Sequence, residues 1–598
     1  MFKKQRKENE MNKKQQDVLI LLYDKLYTQR ELAQITGYSL GSINNAIKIL
    51  INKKYVSKDY KVTELGKKLI DENSPKSAII LAAGYGIRMV PINLEKPKGL
   101  IEVYGEPLIE RIICQLKEIG LNKIYIVVGF MKECYEYLID KYNVELIVNN
   151  EYDVKNNLHS LKYAVNELEN TYIVPCDIWC RENPFSKNEL YSWYLVRDDI
   201  DSNSIVKVNR NEELVLSNEN NCNKMIGITY LNKQTSKIVK KNVLEMCNNK
   251  KYDKEFWESA LFNKNKMLAF AKVKNDQDVV EINKYEELRE IDSNSKNLNN
   301  EAISIISNVL KVKNDEIINI TVLKKSMTNR SFLFTCRDKR YIMRIPGEGT
   351  DKLISRYEEA EVYKKIKEKG IADNIIYINP NNGYKITEFI DNAKVCNPQN
   401  ESDVRKCMML LKKFHSMKLS VNHKFDIFEK IDFYESLWNG IPSIYKDYGQ
   451  TKKNILELKK IIEKQNIKNV LTHIDAIPDN FLMFHDENNK ENIRLIDWEY
   501  AGMQDPHVDI AMFAIYSLYN KEQVDKLIDM YFEQKCAEEI RVKIYCYIAI
   551  CGLLWSNWCE YKRNLGIEFG EYSLMQYRYA KEYYKIAKKE MEKLGGEQ

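Results

Sequence analysis

Two apolar runs in the last third of the chain carry polar side chains at regular spacing: LTHIDAIPDN at residues 471–480 and IRLIDWEY at residues 493–500. The segment between Asn480 and Asp497 reads as two β-strands joined by turn-forming residues at 486–490. A hairpin brings its two ends together, so the side-chain oxygens of Asn480 and Asp497 are expected to meet. Such oxygens suit a single Mg²⁺ ion.

Asp475 lies five residues before Asn480, on the loop that enters the predicted hairpin. A carboxylate at this place can accept the proton of an attacking hydroxyl group, while the two metal ligands hold nucleotide phosphates. The spacing therefore predicts a phosphotransferase that uses ATP and Mg²⁺, with Asp475 as its catalytic base.

The surrounding residues resemble choline kinases and aminoglycoside phosphotransferases, which implies a bilobal protein-kinase-like domain at residues 300–598. The segment KSMTNRSF occupies the place of the family's nucleotide loop, so the resemblance implies that Asn329 binds nucleotide. Arg344, in YIMRIP, stands where these kinases usually have an ATP-contacting lysine. On the helix that follows, Glu358 is expected to pair with Arg344, and Glu361 is the alternative.

The segment CGLLWSNWCEY resembles the tryptophan-bearing helix of choline kinases. A quaternary ammonium group has no hydrogen to donate, so selectivity for it requires aromatic faces and nearby negative charge. Trp555 and Trp558 lie three residues apart and share one helical face, with Tyr561 or Tyr572 to complete the site. The alternative is that the two tryptophans are core residues. Choline kinases usually have another Trp where this chain has Gly552, so ethanolamine or another small alcohol is an alternative substrate.

A second polar loop, LAAGYGIRMVPIN, follows an apolar strand, and KPKGL comes shortly after it. Small residues let backbone N–H groups approach a triphosphate, while Arg88 and Lys98 supply positive charge. The two strings resemble the signature of sugar-1-phosphate and choline-phosphate nucleotidyltransferases, and the resemblance extends over residues 76–292. It implies a Rossmann-like domain at residues 75–294 that binds CTP. The nucleotide-binding residues predicted in this loop are Leu81, Ala82, Ala83, Gly84, Tyr85 and Gly86.

The same resemblance implies a second Mg²⁺ site. Asp177, at a predicted strand end, corresponds to the family's metal-binding aspartate, and Asn283 stands where the family has another acidic residue. Because an amide neutralises Mg²⁺ less well than a carboxylate, either substrate phosphates complete the site or Glu281 contributes. In the implied reaction, a phosphate oxygen of phosphocholine attacks the α-phosphorus of CTP. Mg²⁺, Lys98 and Arg88 then stabilise charge on the departing pyrophosphate.

The N-terminal segment is basic. Residues 1–74 contain fifteen Lys/Arg and nine Asp/Glu, an excess that equals the +6 net charge of the whole chain, so any polyanion is expected to bind here. A capping box opens one helix, Gly37 ends it and Ser39 caps the next, before a short hairpin at residues 55–63. The pattern resembles a winged helix-turn-helix, and packing or dimerisation is the alternative role. The residues that its third helix would offer to DNA are Ser42, Asn44, Asn45 and Lys48.

Composition places the chain among soluble globular proteins, with 44% apolar and 30% charged residues. Its thirteen cysteines form no CxxC pair, which is typical of free thiols in a reducing compartment. The apolar run at 545–555 is too short to span a bilayer, and no signal-peptide core is present at the N-terminus. The sequence therefore predicts a cytoplasmic protein without a membrane span.

Together these segments predict a multidomain α/β and α+β chain, with domains at residues 1–74, 75–294 and 300–598. The leading hypothesis is an enzyme that phosphorylates choline with ATP and couples the phosphocholine to CTP. One alternative keeps both reactions on ethanolamine or another small alcohol. Another is a transcriptional regulator whose transferase domain senses nucleotide or phosphocholine.

Overall fold

The computed structural model describes residues 11–217, 219–323, 329–347, 353–463, 465, 468–567 and 569–595. The chain divides into two compact units, Met1–Ser304 and Ile305–Gln598. The first unit contains both the basic N-terminal segment and the glycine-containing loop. The division into three domains therefore stays a prediction.

The N-terminal part of the first unit is helical. Its helices are α1 (Lys13–Asp24), α2 (Gln29–Thr36), α3 (Leu40–Asn52) and α4 (Glu64–Asn73). Thr28 opens α2 with a capping box and Ser39 caps α3, as the sequence predicts. The predicted hairpin at residues 55–63 is present: Val56 and Val62 form a bridge, the Thr63 N–H donates to the Tyr55 carbonyl at 2.9 Å, and the Ser57 N–H donates to the Lys61 carbonyl at 2.8 Å. Assignment of this segment as a winged helix stays a prediction.

A mixed β-sheet forms the body of the first unit. The strands of this unit are β1 (Ser77–Ala82), β2 (Glu102–Val103), β3 (Glu106–Pro107), β4 (Ile124–Val128), β5 (Glu145–Val148), β6 (Thr171–Pro175), β7 (Ile178–Cys180), β8 (Trp193–Ile200), β9 (Val206–Val208), β10 (Glu213–Leu216), β11 (Asn223–Leu231), β12 (Phe262–Asn263), β13 (Lys266–Lys274) and β14 (Val279–Glu281). The main sheet has the order β5-β4-β1-β6-β11-β8-β13-β10-β9, with β12 beside β13. Strands β5, β4, β1 and β6 are parallel, so the loops after β1 and β6 emerge at the same edge.

Helices cover both faces of this sheet. They are α5 (Leu108–Glu118), α6 (Tyr137–Tyr142), α7 (Asn157–Tyr163), α8 (Lys233–Cys247) and α9 (Tyr285–Ile291). The next helix, α10 (Glu301–Leu310), contains the division between the two units. Ile80 of β1 packs in a core with Ile109 and Ile113 of α5, whereas Ile79 packs in a second core with Leu158 of α7. Alternate side chains of a strand point to opposite faces, so β1 is buried in the middle of three layers. The predicted α/β layering is confirmed.

The second unit joins an antiparallel sheet to a larger helical part. Its strands are β15 (Ile318–Val322), β16 (Asn329–Cys336), β17 (Lys339–Pro346), β18 (Ile375–Ile378), β19 (Lys385–Glu388), β20 (Lys394–Val395), β21 (Val470–Thr472), β22 (Phe481–His485), β23 (Glu491–Leu495) and β24 (Gly502–Gln504). Its helices are α11 (Arg356–Ile366), α12 (Glu401–Ser416), α13 (Ile427–Ser436), α14 (Tyr448–Glu463), α15 (His507–Tyr516), α16 (Lys521–Phe532), α17 (Glu538–Asn564) and α18 (Glu571–Gly595). The sheet order is β15-β16-β17-β19-β18, and β22 and β23 form the predicted hairpin.

Helix α17 is the central core helix of the second unit. Among the described residues it alone is long and apolar enough to cross a membrane, and 94% of its most apolar window is buried inside the protein. It packs against α13, α15 and, over most of its length, α18. The apolar run at residues 545–555 is the middle of this helix, and its burial explains why it is apolar on all sides.

Two candidate active sites

The hairpin of β22 and β23 brings the predicted phosphotransferase residues together. The backbone N–H of Ile496 donates to the Asn480 carbonyl at 2.9 Å, which ties the two ends of the hairpin. Asn480 Nδ2 donates to Asp475 Oδ2 at 3.1 Å and to the Asp475 carbonyl at 2.8 Å. Asp497 follows with a left-handed backbone (φ +66°), a strained conformation for this residue type that is common in functional sites.

Buried carboxylates surround the predicted base. Burial raises the pKa of Asp475 to about 8, and the charges of Asp497 and Glu499 add to this rise. A carboxyl group that titrates near neutral pH is well matched to proton exchange with a substrate hydroxyl. Within the described residues, Asn480 Oδ1 and the Asp497 carboxylate have no hydrogen-bond or ion-pair partner. The pair therefore offers oxygen ligands that fit a cation, although no group of three or more His, Cys, Asp or Glu among the described residues has metal-binding geometry.

Asp509, which the sequence does not single out, holds the loop that carries the base. It accepts hydrogen bonds from the backbone N–H groups of His473 at 3.0 Å and Ile474 at 2.7 Å. His415 Nε2 donates to it at 2.9 Å from α12. Ile474 has a left-handed backbone (φ +70°), so these bonds fix a turn that is costly by itself. The residue lies in the first turn of α15, and the sequence pattern DPHVD gives no sign that it points back to the loop.

The prediction that Glu358 or Glu361 pairs with Arg344 is wrong, because Arg344 pairs with Glu359. Arg344 donates to Glu359 through two nitrogens at 2.6 and 2.7 Å, and both side chains are buried. Glu358 is exposed, while Glu361 pairs with His423 at 3.4 Å. Ser355 caps α11, and from that start the inward positions include 359, 362, 363 and 366, which share one helical face. A shift of one residue turns a side chain by about 100°, which takes Glu358 to the outside.

Asn329 and Arg344 belong to one buried polar cluster. Asn329 Nδ2 donates to Glu499 Oε2 at 3.0 Å, and Arg356 lies 3.4 Å from the same oxygen. Burial, then the charge of Asp497, raises the pKa of Glu499 to about 7. The cluster places both predicted nucleotide contacts next to Glu499, two residues after Asp497. The rest of the predicted nucleotide loop, residues 324–328, lies outside the described residues.

A continuous row of aromatic rings leads from α17 to the catalytic loop. The Trp555 and Trp558 ring centroids are 5.6 Å apart, and Trp558 lies 5.2 Å from Phe569. Phe569 contacts Tyr572, which contacts Tyr516 at 5.9 Å. The Tyr516 hydroxyl donates to the Asp479 carboxylate at 2.8 Å, next to Asn480. Tyr561 has no ring contact with this row among the described residues, so the geometry favours Tyr572 as the third aromatic group.

Gly552 lies at a close contact between helices. A Cβ atom there would lie 2.7 Å from the Gln576 carbonyl oxygen and 2.9 Å from the Ala580 nitrogen of α18. Both are backbone atoms that a side-chain rotation cannot move. The tryptophan that choline kinases usually have at this position is therefore excluded by the packing of α18.

The first unit brings its four predicted charged and polar residues to one point. Lys98 Nζ donates to Asp177 Oδ2 and, at 2.6 Å, to Asn283 Oδ1, which also accepts from Arg88 at 3.2 Å. Asp177 follows β6 and Asn283 follows β14. The N–H of Ile282 donates to the Asp177 carbonyl at 2.9 Å, which aligns the two segments. Asn283 thus holds two cationic side chains, a role that the sequence does not reveal.

Two further carboxyl groups, those of Glu281 and Glu258, lie near Asp177, while Lys98 pairs with Asp177 and Lys224 lies 3.8 Å from Glu281. Asp177 Oδ1 is buried and has no hydrogen-bond partner among the described residues. Burial, and then the Asp177 charge, raises the pKa of Glu281, while burial raises that of Glu258 to about 7. A bound cation would relieve this repulsion, so the oxygens of Asp177 and Glu281 fit a metal ion.

Only part of the glycine-containing loop can approach a ligand, because the first residues of the loop belong to β1 or are hydrogen-bonded to neighbouring segments. Leu81 and Ala82 lie within β1, and the Leu81 carbonyl accepts the N–H of Cys176 at 3.2 Å. The Ala83 carbonyl accepts the N–H of Phe130 at 3.1 Å. Gly84 has open space where a Cβ would lie. Gly86 has φ +61°, and a Cβ there would lie 3.3 Å from Lys98 Cβ. The backbone that can approach a ligand is therefore that of residues 84–86, and the ring centroids of Tyr85 and Phe130 lie 4.1 Å apart with their planes tilted by 46°.

Comparisons with known proteins place both sites in families. Residues 320–579 match the choline/ethanolamine kinase family, and residues 78–186 match the MobA-like NTP transferase domain family. The chain is 44% identical over 117 residues to choline-phosphate cytidylyltransferase of Streptococcus pneumoniae, an alignment that spans 20% of this chain and about half (51%) of that protein.

Two further relatives cover more of their own length. The chain is 32% identical over 202 residues to 2-aminoethylphosphonate cytidylyltransferase of Lancefieldella rimae, which is 31% of this chain and 79% of that protein. It is 26% identical over 261 residues to protein LicA of Haemophilus influenzae, which is 42% of this chain and 95% of that protein. The chain therefore belongs to the cytidylyltransferases, and it is a transferase that joins an NTP transferase domain homologous to choline-phosphate cytidylyltransferase to a choline-kinase domain homologous to protein LicA.

Proposed function

We propose that the chain phosphorylates choline with ATP and then transfers CMP from CTP to the phosphocholine, releasing pyrophosphate. The observation that carries the proposal is the aromatic row from Trp555 to Tyr572, which reaches Asp479 through Tyr516. It offers ring faces to a quaternary ammonium group within reach of a buried base. Choline matches both features, because its quaternary ammonium group can contact the aromatic rings while its hydroxyl group reaches the base.

In the kinase step, Asp475 takes the proton of the choline hydroxyl as the oxygen attacks the γ-phosphorus of ATP. The bond between that phosphorus and the β–γ bridging oxygen breaks, and ADP leaves. Arg344, fixed by Glu359, positions the phosphates. Asn480 and Asp497 would hold Mg²⁺, which neutralises phosphate charge when bound. Asp509 keeps the base in position by holding the backbone of its loop.

In the transferase step, a phosphate oxygen of phosphocholine attacks the α-phosphorus of CTP and the bond to pyrophosphate breaks. Lys98 and Arg88 lie where they can stabilise charge on the leaving group, and Asn283 orients both. Asp177, with Glu281 or with substrate phosphates, would hold Mg²⁺. The loop at residues 84–86 presents backbone N–H groups to the triphosphate.

The two steps are consecutive, because the product of the kinase is the acceptor for the transferase. A second candidate acceptor for the transferase is 2-aminoethylphosphonate, since the relative from Lancefieldella rimae is a 2-aminoethylphosphonate cytidylyltransferase. A phosphonate needs no kinase, so a chain with both domains favours a phosphate ester made from an alcohol.

Purified protein with a panel of substrates distinguishes these candidates. The alcohols are choline and ethanolamine, each with ATP; the acceptors are phosphocholine, phosphoethanolamine and 2-aminoethylphosphonate, each with CTP. Initial rates give kcat/KM for every pair. The proposal predicts the highest values for choline and phosphocholine. A preference for ethanolamine and phosphoethanolamine, or for 2-aminoethylphosphonate, would refute the proposed substrate.

A further inference from the structure

Helix α3 presents a polar stripe on the outside of the first unit. Its inner positions Ile43 and Ile47 are buried in the small N-terminal core. Asn44, Asn45 and Lys48 are exposed and lie within one turn of each other, so they share the outer face. Their side chains make no hydrogen bond within the described residues. Neither proposed reaction uses this stripe.

The connection to the preceding helix has helix-turn-helix geometry. Helix α2 ends at Thr36, Gly37 turns the chain with φ +68°, and Ser39 caps α3. A turn of three or four residues containing glycine is typical of the motif, whose second helix enters the major groove of DNA. The segment at residues 57–61 is held beside α2, because Gln29 Nε2 donates to the Tyr60 hydroxyl at 2.8 Å.

Helix α1 contacts the transferase part of the unit through acidic and basic side chains, and Lys13 forms an ion pair with Glu212. Asp17 accepts the Tyr191 hydroxyl at 2.7 Å, and Asp24 accepts Asn188 Nδ2 at 3.1 Å. Leu190 completes the N-terminal core from the transferase side. None of these contacts involves the outer face of α3.

The exposed charged side chains of α3 and of the segment at residues 57–61 are mainly basic. Lys48 on α3 and Lys58 and Lys61 in the adjoining segment are all exposed, and Asp59 is the single acidic residue between the two lysines of that segment. A polyanion is attracted to such a surface, whereas the same surface of a second copy of this chain would be repelled. Asparagine side chains can hydrogen-bond the edge of adenine with both polar atoms, and lysines can contact phosphates.

We propose that the outer face of α3, with the segment at residues 57–61, binds double-stranded DNA. Helix α3 lies in the major groove, where Asn44 and Asn45 face base edges. Lys48, Lys58 and Lys61 contact phosphates. None of these residues belongs to either proposed catalytic site.

The test uses the full-length protein and a fluorescein-labelled DNA duplex of mixed sequence, with binding followed by fluorescence anisotropy. Three phosphate contacts predict a dissociation constant that rises about 40-fold between about 50 and about 200 mM KCl, because log Kd changes by about 0.9 per contact for each tenfold change in salt. Lys48→Ala should lower this slope by about 0.9 and weaken binding at low salt. Lys68→Ala, which removes an exposed lysine from α4, is the charge-matched control and should bind as the parent protein does.

Selection of sequences from a random DNA pool tests the asparagines. Asn45→Ala should lose the base preference that the parent protein selects while keeping the salt slope. Absence of binding at about 50 mM KCl would overturn the proposal. An equal loss in Lys48→Ala and Lys68→Ala would also overturn it, because the attraction would then be diffuse. A change of oligomeric state in Lys48→Ala, measured by sedimentation, would assign the surface to a second copy of the chain instead.

Discussion

Replacing Glu359 with Gln is expected to destabilise the second unit and to abolish choline phosphorylation, whereas Glu358→Gln should change neither. Glu359 is fully buried and makes two hydrogen bonds to Arg344. Lys385 and Arg356 lie 3.4 and 3.5 Å from its oxygens. Glu358 is the next residue on the same helix, is exposed, and forms no ion pair within the described residues. The two substitutions are chemically identical, so they isolate the buried network.

The magnitude follows from the charges around this carboxylate. Although burial opposes ionisation, the neighbouring lysine and arginines lower the pKa of Glu359 from 4.5 to about 2. A difference of this size corresponds to about 3 kcal/mol of stability at neutral pH. Removing one partner of a buried ion pair costs about 3 to 5 kcal/mol, because the other charge is left uncompensated. For a unit of this size, a loss of about 3 kcal/mol lowers Tm by roughly 6 to 12 °C.

Thermal melts followed by circular dichroism test both the size and the pH dependence. The folded-state pKa lies below the ordinary value, so the stabilisation is complete above about pH 4.5 and is lost as the pH falls toward 2. The Tm difference between the parent protein and Glu359→Gln should therefore shrink on acidification. Equal melting of Glu359→Gln and Glu358→Gln near neutral pH, or a difference that is constant down to about pH 3, would refute the reasoning.

Three further substitutions address the sites. Asp475→Asn removes the base and should lower the rate of choline phosphorylation by about 10²- to 10⁴-fold, measured as ADP formation, while added phosphocholine is still converted to CDP-choline. Loss of both activities would contradict it. Lys98→Ala should lower the rate of CDP-choline formation from CTP and phosphocholine by about 10²- to 10³-fold and leave ATP use intact; an unchanged rate would exclude Lys98 from the reaction. Gly552→Ala should destabilise the second unit by about 1 to 3 kcal/mol, because its Cβ meets the backbone of α18. A Tm equal to that of the parent protein would show that α17 and α18 can move apart without loss of stability.

The sequence predicts features that depend on local spacing. Asp475, Asn480 and Asp497 could be placed together because a short hairpin joins them, and the hairpin is visible as two apolar runs around a turn. The loop at residues 81–86 and the capping residues Thr28 and Ser39 are equally local signals. In each case neighbouring residues along the chain determine the geometry.

Contacts between distant segments are not visible in the sequence. Glu359 was missed because the phase of α11 depends on where the helix begins, and one residue decides which carboxylate faces Arg344. Asp509 lies 34 residues after the base it positions, and Asn283 lies 185 residues after Lys98. The reason for Gly552 becomes clear only when α18 packs across it. These contacts arise from tertiary packing, which the hydrophobic periodicity of the sequence does not reveal.

Mixing two inactive variants tests most directly the claim that one chain carries two consecutive reactions. Choline, ATP, CTP and Mg²⁺ are supplied, and CDP-choline is followed by ³¹P NMR. In the time that the parent protein needs to convert its substrates, Asp475→Asn alone and Lys98→Ala alone should each form only a trace of CDP-choline, the second accumulating phosphocholine. An equal mixture should restore CDP-choline, because phosphocholine made by Lys98→Ala is used by Asp475→Asn. Failure of the mixture, although each variant keeps its other activity, would contradict the proposed sequence of reactions.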